Sequence, residues 1–311
     1  MNISGLKAKA TERLSDQGYP HRRLALIYAG LIFVALMAAT GINYYVNHKM
    51  NDAVGLSGMG MLSVLETVQV VLGYAVNILA PFWQMGFVFA ALQIARGVQA
   101  RPAFLKEGFR RIRSVLGLMI LRTLIYGGLL VACVYISVMI YAASPLAQPL
   151  MDMMMPLVES GYDVEQLQQM LLELPIPQLM ETISPVFWIL IPVGLALLLP
   201  MYYRFRMADL IVMDKAGIRA LPALMLSGAM TRKKRMALFK LDLSFWWFYA
   251  LQLVGAMLCY LNFFPVGEGL ALGGYVAGQA LQVLVFWYAG GLYHTTWAVA
   301  YEELLQPAKQ E

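Results

Sequence analysis

Six apolar runs, at about 24–46, 69–95, 114–142, 185–203, 243–264 and 273–300, divide this chain, and nearly all of its charge lies between them. A helix needs roughly 20 apolar residues to cross a hydrocarbon core about 30 Å thick, and each run meets or approaches that length. Helices are the form such runs take, because lipid offers no hydrogen-bond partner to a bare backbone. The alternating ten-residue strands of an outer-membrane barrel are absent. With 60% hydrophobic and 13% charged residues, the composition departs from the soluble average of about 25% charged. The first run is too long for the roughly 7–15 apolar residues of a cleavable signal. The sequence therefore predicts one all-α membrane domain over 1–311. It is a polytopic bundle of six transmembrane helices with cytoplasmic amphipathic interfacial helices, and it leaves no room for a soluble catalytic domain.

The charges between the runs orient the bundle. Of the 23 Lys and Arg residues, 21 fall in alternate connections, together with 9 acids. The other side holds Lys49 and 8 acids, with Arg122 inside a span and Glu66 set apart at the outer start of the second. Basic residues near span ends mark the cytoplasmic side, so both termini are expected in the cytoplasm. The longest outer connection, 143–183, carries Asp152, Glu159, Asp163, Glu165, Glu173 and Glu181 and no basic residue. Leu167, Met170, Leu171 and Leu174 recur there at helical spacing, which predicts a short amphipathic helix over 163–174.

Two inner connections read as helices lying in the headgroup region. In 103–113, an apolar face of Phe104, Leu105, Phe109 and Ile112 opposes Lys106, Arg110, Arg111 and Arg113. In 217–230, Ile218, Leu221, Leu224 and Met225 repeat the pattern, and the run Arg232, Lys233, Lys234 and Arg235 follows. Each such cation beside an anionic leaflet contributes about 1 kcal/mol. Clusters pinned between spans are not a nucleic-acid footprint.

Within the spans, Arg122 is the clearest functional candidate, because ionisable groups at membrane depth are rare. Its side chain can snorkel to the inner headgroups or be buried beside a polar partner such as Gln84. Asn77, Gln84, Gln252, Gln279 and Gln282 read as interhelical hydrogen-bond glue or as the lining of a transport path. Cys133 and Cys259 both fall in spans and form no disulfide or metal pattern. Catalytic constellations fail on geometry: Ser57 and His294 belong to opposite ends of the spans, whereas a nucleophile and its base must touch. No cofactor or metal motif is present.

The second half carries a resemblance. The stretch from Arg204 to Asp214, RFRMADLIVMD, and that from Ala223 to Trp247, ALMLSGAMTRKKRMALFKLDLSFWW, resemble the bacterial multi-pass membrane family called domain of unknown function 975. The matching positions are Asp214, Ser227, Lys233, Phe239, Leu241, Leu243, Ser244 and Phe245. Ala95-Arg96-Gly97, then Phe104, Gly108 and Phe109, and finally Ala300-Tyr301, extend it over most of the chain. Thr231 replaces a glycine usual in the family, and the loop 143–183 is longer. The resemblance implies a six-helix fold in the bacterial cytoplasmic membrane and no activity.

Together these readings favour a non-enzymatic scaffold or accessory protein. It would contact anionic lipid, a membrane-protein partner or a second copy through Arg96, Arg110, Arg111, Arg113, Arg232, Lys233, Lys234 and Arg235. The alternative is a small-solute or lipid transporter with a path lined by Arg122, Gln84, Asn77 and Gln282.

Overall fold

The computed structural model describes residues 1–18, 20–52, 56–148, 151–152, 176–261 and 267–305, and among these it contains no strand. The helices are α1 (Ile3–Gln17), α2 (Pro20–Asp52), α3 (Leu56–Ala95), α4 (Glu107–Arg110), α5 (Ile112–Ala142) and α6 (Ile176–Phe205). They continue with α7 (Ala208–Asp214), α8 (Ala220–Thr231), α9 (Arg235–Leu243), α10 (Trp246–Cys259), α11 (Glu268–Val285) and α12 (Gly291–Leu305). A π-turn, Phe286–Gly290, links the last two.

Among the described residues, five stretches are long and apolar enough to cross a membrane: Pro20–Ile42, Ile78–Ala95, Ile112–Ala142, Ser184–Asp214 and Gly269–Leu305. The sixth expected span, 243–264, is not one straight helix. Its place is taken by α9 and α10, bent by 62° at the break. The 14 residues of α10 rise about 21 Å at 1.5 Å each, short of the roughly 30 Å core. The chain is an all-α membrane bundle, with five candidate spans among the described residues, or six if the bent pair crosses as one. The helix expected at 163–174 lies outside the described residues.

The chain divides into two compact units, one of 1–118 with 206–311 and one of 119–205. In the first, α1 starts at Asn2, whose side chain accepts the Gly5 N–H, an ordinary N-cap. Leu6, Ala10, Leu14 and Gln17 form its buried face. Gln17 then pins the chain after α3, donating to the Val98 carbonyl at 3.1 Å and accepting the Ala100 N–H at 2.8 Å. Leu14, Leu24, Tyr28, Phe87, Ile94 and Leu105 share one core with Phe286 against it. The rings of Tyr28, Phe87 and Phe286 stand 5.0–5.2 Å apart, a spacing at which aromatic pairs attract beyond simple burial.

Glycines set the closest approaches. A Cβ on Gly86 would collide with the backbone of Leu105, and one on Gly108 with the Phe82 carbonyl. The segment 102–110 is therefore docked backbone to backbone on α3. It is a 3₁₀ turn, Pro102–Lys106, followed by the four-residue α4. The helix expected over 103–113 is thus broken into two short pieces: Leu105 is buried, while Ile112 of the supposed same face is exposed and opens α5. Between α10 and α11, Gly255 and Gly278 meet in the same way. There Gln252 donates to the Gln282 carbonyl at 3.3 Å, so the span glutamines act as interhelical glue at this crossing.

In the connection 204–235, two short helices follow each other. Its α7 buries Ala208, Leu210, Ile211, Val212 and Met213, leaving Asp209 and Asp214 only partly buried. In α8 the inward face is Ala223, Leu224, Ser227, Gly228 and Thr231, and Leu221 and Met225 point outward. A small, partly polar face packs inward here and large apolar residues turn out, the reverse of a soluble amphipathic helix.

The second unit holds most of α5 and all of α6. Ser137 Oγ donates to the Cys133 carbonyl at 2.7 Å, and both residues are fully buried. Leu124, Val131, Tyr135 and Trp188 are all more than half exposed, an apolar surface that a soluble protein does not carry and lipid covers.

Candidate functional site

The polar chemistry of the first unit concentrates in two clusters. One forms around Arg96, which lies just beyond α3, where Gly97 turns the chain with φ of +83°. Its guanidinium meets Asp214 at 2.6 Å and Glu302 at 2.6 Å. Tyr301, fully buried, donates to the other Asp214 oxygen at 2.9 Å. Three elements are joined: the end of α3, the end of α7 and the last turns of α12. Burial alone would lower the Arg96 pKa, but hydrogen bonds and charge from Asp214 and Glu302 outweigh it and hold it above its ordinary value. Arg96 is thus a partly exposed cation shared by two acids.

The other cluster surrounds Asp242, which is buried. Tyr249 and Tyr293 both donate to its Oδ1, at 2.9 and 3.2 Å. Arg206 donates to the Tyr293 hydroxyl, and its guanidinium lies 4.6 Å over the Trp297 ring, a cation–π contact. The cluster stands at the break between α9 and α10. There Lys7 of α1 donates to the Ser244 carbonyl at 2.7 Å and sits 4.0 Å over Phe245. Partial burial lowers the Lys7 pKa. The bend is therefore held by one carboxylate, two phenols and a lysine from a remote helix.

The eight basic residues singled out above separate by what they touch. Arg96 is consumed as described. Arg111 donates to the carbonyls of Val212 and Met213 at 2.8 and 2.7 Å, satisfying the orphan acceptors at the end of α7. A cation at a helix C-terminus is also favoured by the macrodipole. Arg110 pairs with Glu107 at 2.6 Å, on a side chain 76% exposed, so the pair contributes little. Arg235 is half-buried at the start of α9. Arg113, Arg232, Lys233 and Lys234 are exposed, and among the described residues no carboxylate pairs with them.

The described transport-path candidates are placed within each unit by itself. In the second unit, Arg122 donates to the Phe205 carbonyl at 2.9 Å, at the end of α6. In the first, Gln84 is exposed on α3 and Gln282 is held between α10 and α11. The Asn77 side chain lies outside the described residues. Arg122→Ala is expected to lower stability by about 1.5–3 kcal/mol, the range for a hydrogen bond to a charged group. Arg122→Lys should recover part of it, and thermal unfolding of the purified protein in detergent measures both.

His294 is packed among rings, edge-on to Phe87 at 5.2 Å and to Tyr293 at 5.2 Å. Among the described residues no group of three His, Cys, Asp or Glu could hold a metal ion. Residue patterns alone did not single out Asp242, Tyr249, Tyr293, Arg206 or Glu302. Their signal is faint: one aspartate, in FKLDLSFWW, at the edge of an apolar run.

A cavity of about 610 Å³ opens in the first unit beside the α1–α2 turn, lined by Thr11, Ser15, His21, Arg22, Trp247, Trp287 and Tyr288 among others. No model of a known family, no curated protein and no solved structure matches this chain.

Proposed function

We propose that this chain is a non-enzymatic multi-pass protein of the bacterial cytoplasmic membrane, a scaffold or accessory protein whose cytoplasmic face contacts anionic lipid. The observation that carries this reading is the separation of its cations. Arg96, Arg111, Arg122 and Arg206 are each bonded to acceptors of the fold, whereas Arg113, Arg232, Lys233 and Lys234 stand exposed without a carboxylate partner among the described residues. The last three occupy the turn between α8 and α9. The excess of basic residues in alternate connections supports a cytoplasmic position for that turn and for both termini. The stretches 204–214 and 223–247 resemble the bacterial domain 975 family, which supports a bacterial cell membrane. A membrane-protein partner or a second copy would meet the same face.

Four cations at about 1 kcal/mol each set the upper limit of the attraction. Replacing Arg113, Arg232, Lys233 and Lys234 together by Gln is expected to reduce, several-fold, the enrichment of anionic over zwitterionic phospholipid extracted with the protein from native membranes. Thermal stability should change little, since these side chains touch no internal partner. Unchanged lipid enrichment in that variant would overturn the reading.

A further inference from the structure

The cavity beside the α1–α2 turn has a composition that the surface cations do not explain. Gly18, with φ of +61°, caps the end of α1, and an added Cβ there meets nothing within 4 Å. The turn sets the start of α2, with Pro20 at its first position and His21 and Arg22 following, at one wall of the cavity. Trp247 comes from the first turn of α10. Trp287 and Tyr288 come from the π-turn, a one-turn irregularity that recurs at functional sites because it redirects side chains out of helical register. Tyr288 is 75% exposed. Among the described residues no carboxylate pairs with Arg22.

Depth is fixed by the spans. The apolar stretch Pro20–Ile42 begins at this wall, and the apolar helix α10 begins at Trp247's turn. The cavity therefore lies where water-facing chain gives way to lipid-facing chain, the level at which Trp and Tyr rings settle with polar edges toward headgroups. A cation beside a long helix's N-terminus favours a negative group, and indole and phenol walls favour the glycerol and upper acyl region next to it. A lone inorganic phosphate has no use for those walls and would leave most of about 610 Å³ unfilled.

The geometry points to a site for one anionic glycerophospholipid, its phosphate at Arg22 and its glycerol backbone between Trp287 and Tyr288. The site rests on the reading of the basic face as one that meets an anionic leaflet, but it uses none of the four exposed cations of that face. It would hold a single lipid in a defined place, where the surface cations hold many loosely.

The test uses the full chain in mild detergent, with native mass spectrometry as the readout. Phosphatidylglycerol, phosphatidylcholine and inorganic phosphate are the probes. The wild-type protein is expected to retain one phosphatidylglycerol and to bind phosphatidylcholine more weakly, and inorganic phosphate should not displace the lipid. Arg22→Gln should weaken phosphatidylglycerol about tenfold, in keeping with the loss of a charge-assisted contact. Tyr288→Ala should weaken it as well, with unchanged thermal stability, because that ring is largely outside the packed core. The variant lacking Arg113, Arg232, Lys233 and Lys234 should keep this one lipid. If that variant also keeps its wider anionic enrichment, the surface reading fails and the site stands. Equal retention by wild type, Arg22→Gln and Tyr288→Ala overturns the site, and so does displacement of the lipid by inorganic phosphate.

Discussion

Leucine in place of Gly108 abolishes the folded protein. The expected outcome is aggregation on extraction, or a melting profile with no cooperative transition, where the wild type gives both a single species and a transition. The cause is steric. Even the first carbon of any side chain at Gly108 would enter the space of the Phe82 carbonyl, and that oxygen is part of the α3 backbone with no rotamer to escape into. Overpacking that side chains can relieve costs about 1–3 kcal/mol; a collision between two backbones has no such relief and exceeds that range. Losing this contact frees the segment 102–110, and with it Arg111 and its bonds to the end of α7. Gly86→Leu, on the opposite side of the same contact, should behave alike. Gly128→Leu is the control, since nothing lies within 4 Å of a Cβ there, and it should extract and melt as the wild type does.

Arg96→Ala is expected to have the next largest effect, a loss of about 3 kcal/mol. Two hydrogen bonds between charged groups contribute about 1.5–3 kcal/mol each, and the lower end applies because the Arg96 side chain is 33% exposed. Two carboxylates, Asp214 and Glu302, would be left side by side. The Tyr301 hydroxyl still satisfies one oxygen of Asp214, which limits the damage and leaves the like charges unrelieved. Denaturant or detergent titration of the purified protein measures the loss. Adding Asp214→Asn to the Arg96→Ala background should restore part of it, since one of the two repelling charges is then gone. If the double variant is less stable than Arg96→Ala, repulsion is not the cause.

The spans were legible because they rest on length and hydropathy, which a run such as 114–142 displays without reference to any neighbour. The bend at 243–246 was not. It depends on Asp242 finding Tyr249 and Tyr293, and on Lys7 reaching Ser244 from the far end of the chain, and no local pattern encodes a meeting across more than 200 residues. The same holds for the basic residues. Arg96, Arg111 and Arg113 look equivalent as cations in one connection. Only tertiary contacts separate Arg96 and Arg111, which complete internal acceptors, from Arg113, which faces out. The inner connections misled for a further reason. The pattern of Phe104, Leu105 and Phe109 suits a helix resting on lipid and also one docked on protein. Gly108, which permits the docked choice, carries no hydrophobic signal of its own. Arg122 was legible as a residue that needs a partner, but its partner, the Phe205 carbonyl, is a backbone atom and has no sequence signature.

The central claim is that the exposed turn between α8 and α9 lies against an anionic leaflet. A photo-reactive amino acid in place of Lys233, activated in native membranes, tests it most directly, with Leu146 beyond the other end of α5 as the comparison. Both positions are exposed. The account expects Lys233 to capture anionic phospholipid well above its share of the membrane and Leu146 to show no such preference. Capture of lipid at Lys233 in bulk proportion, or the same anionic preference at Leu146, would contradict it.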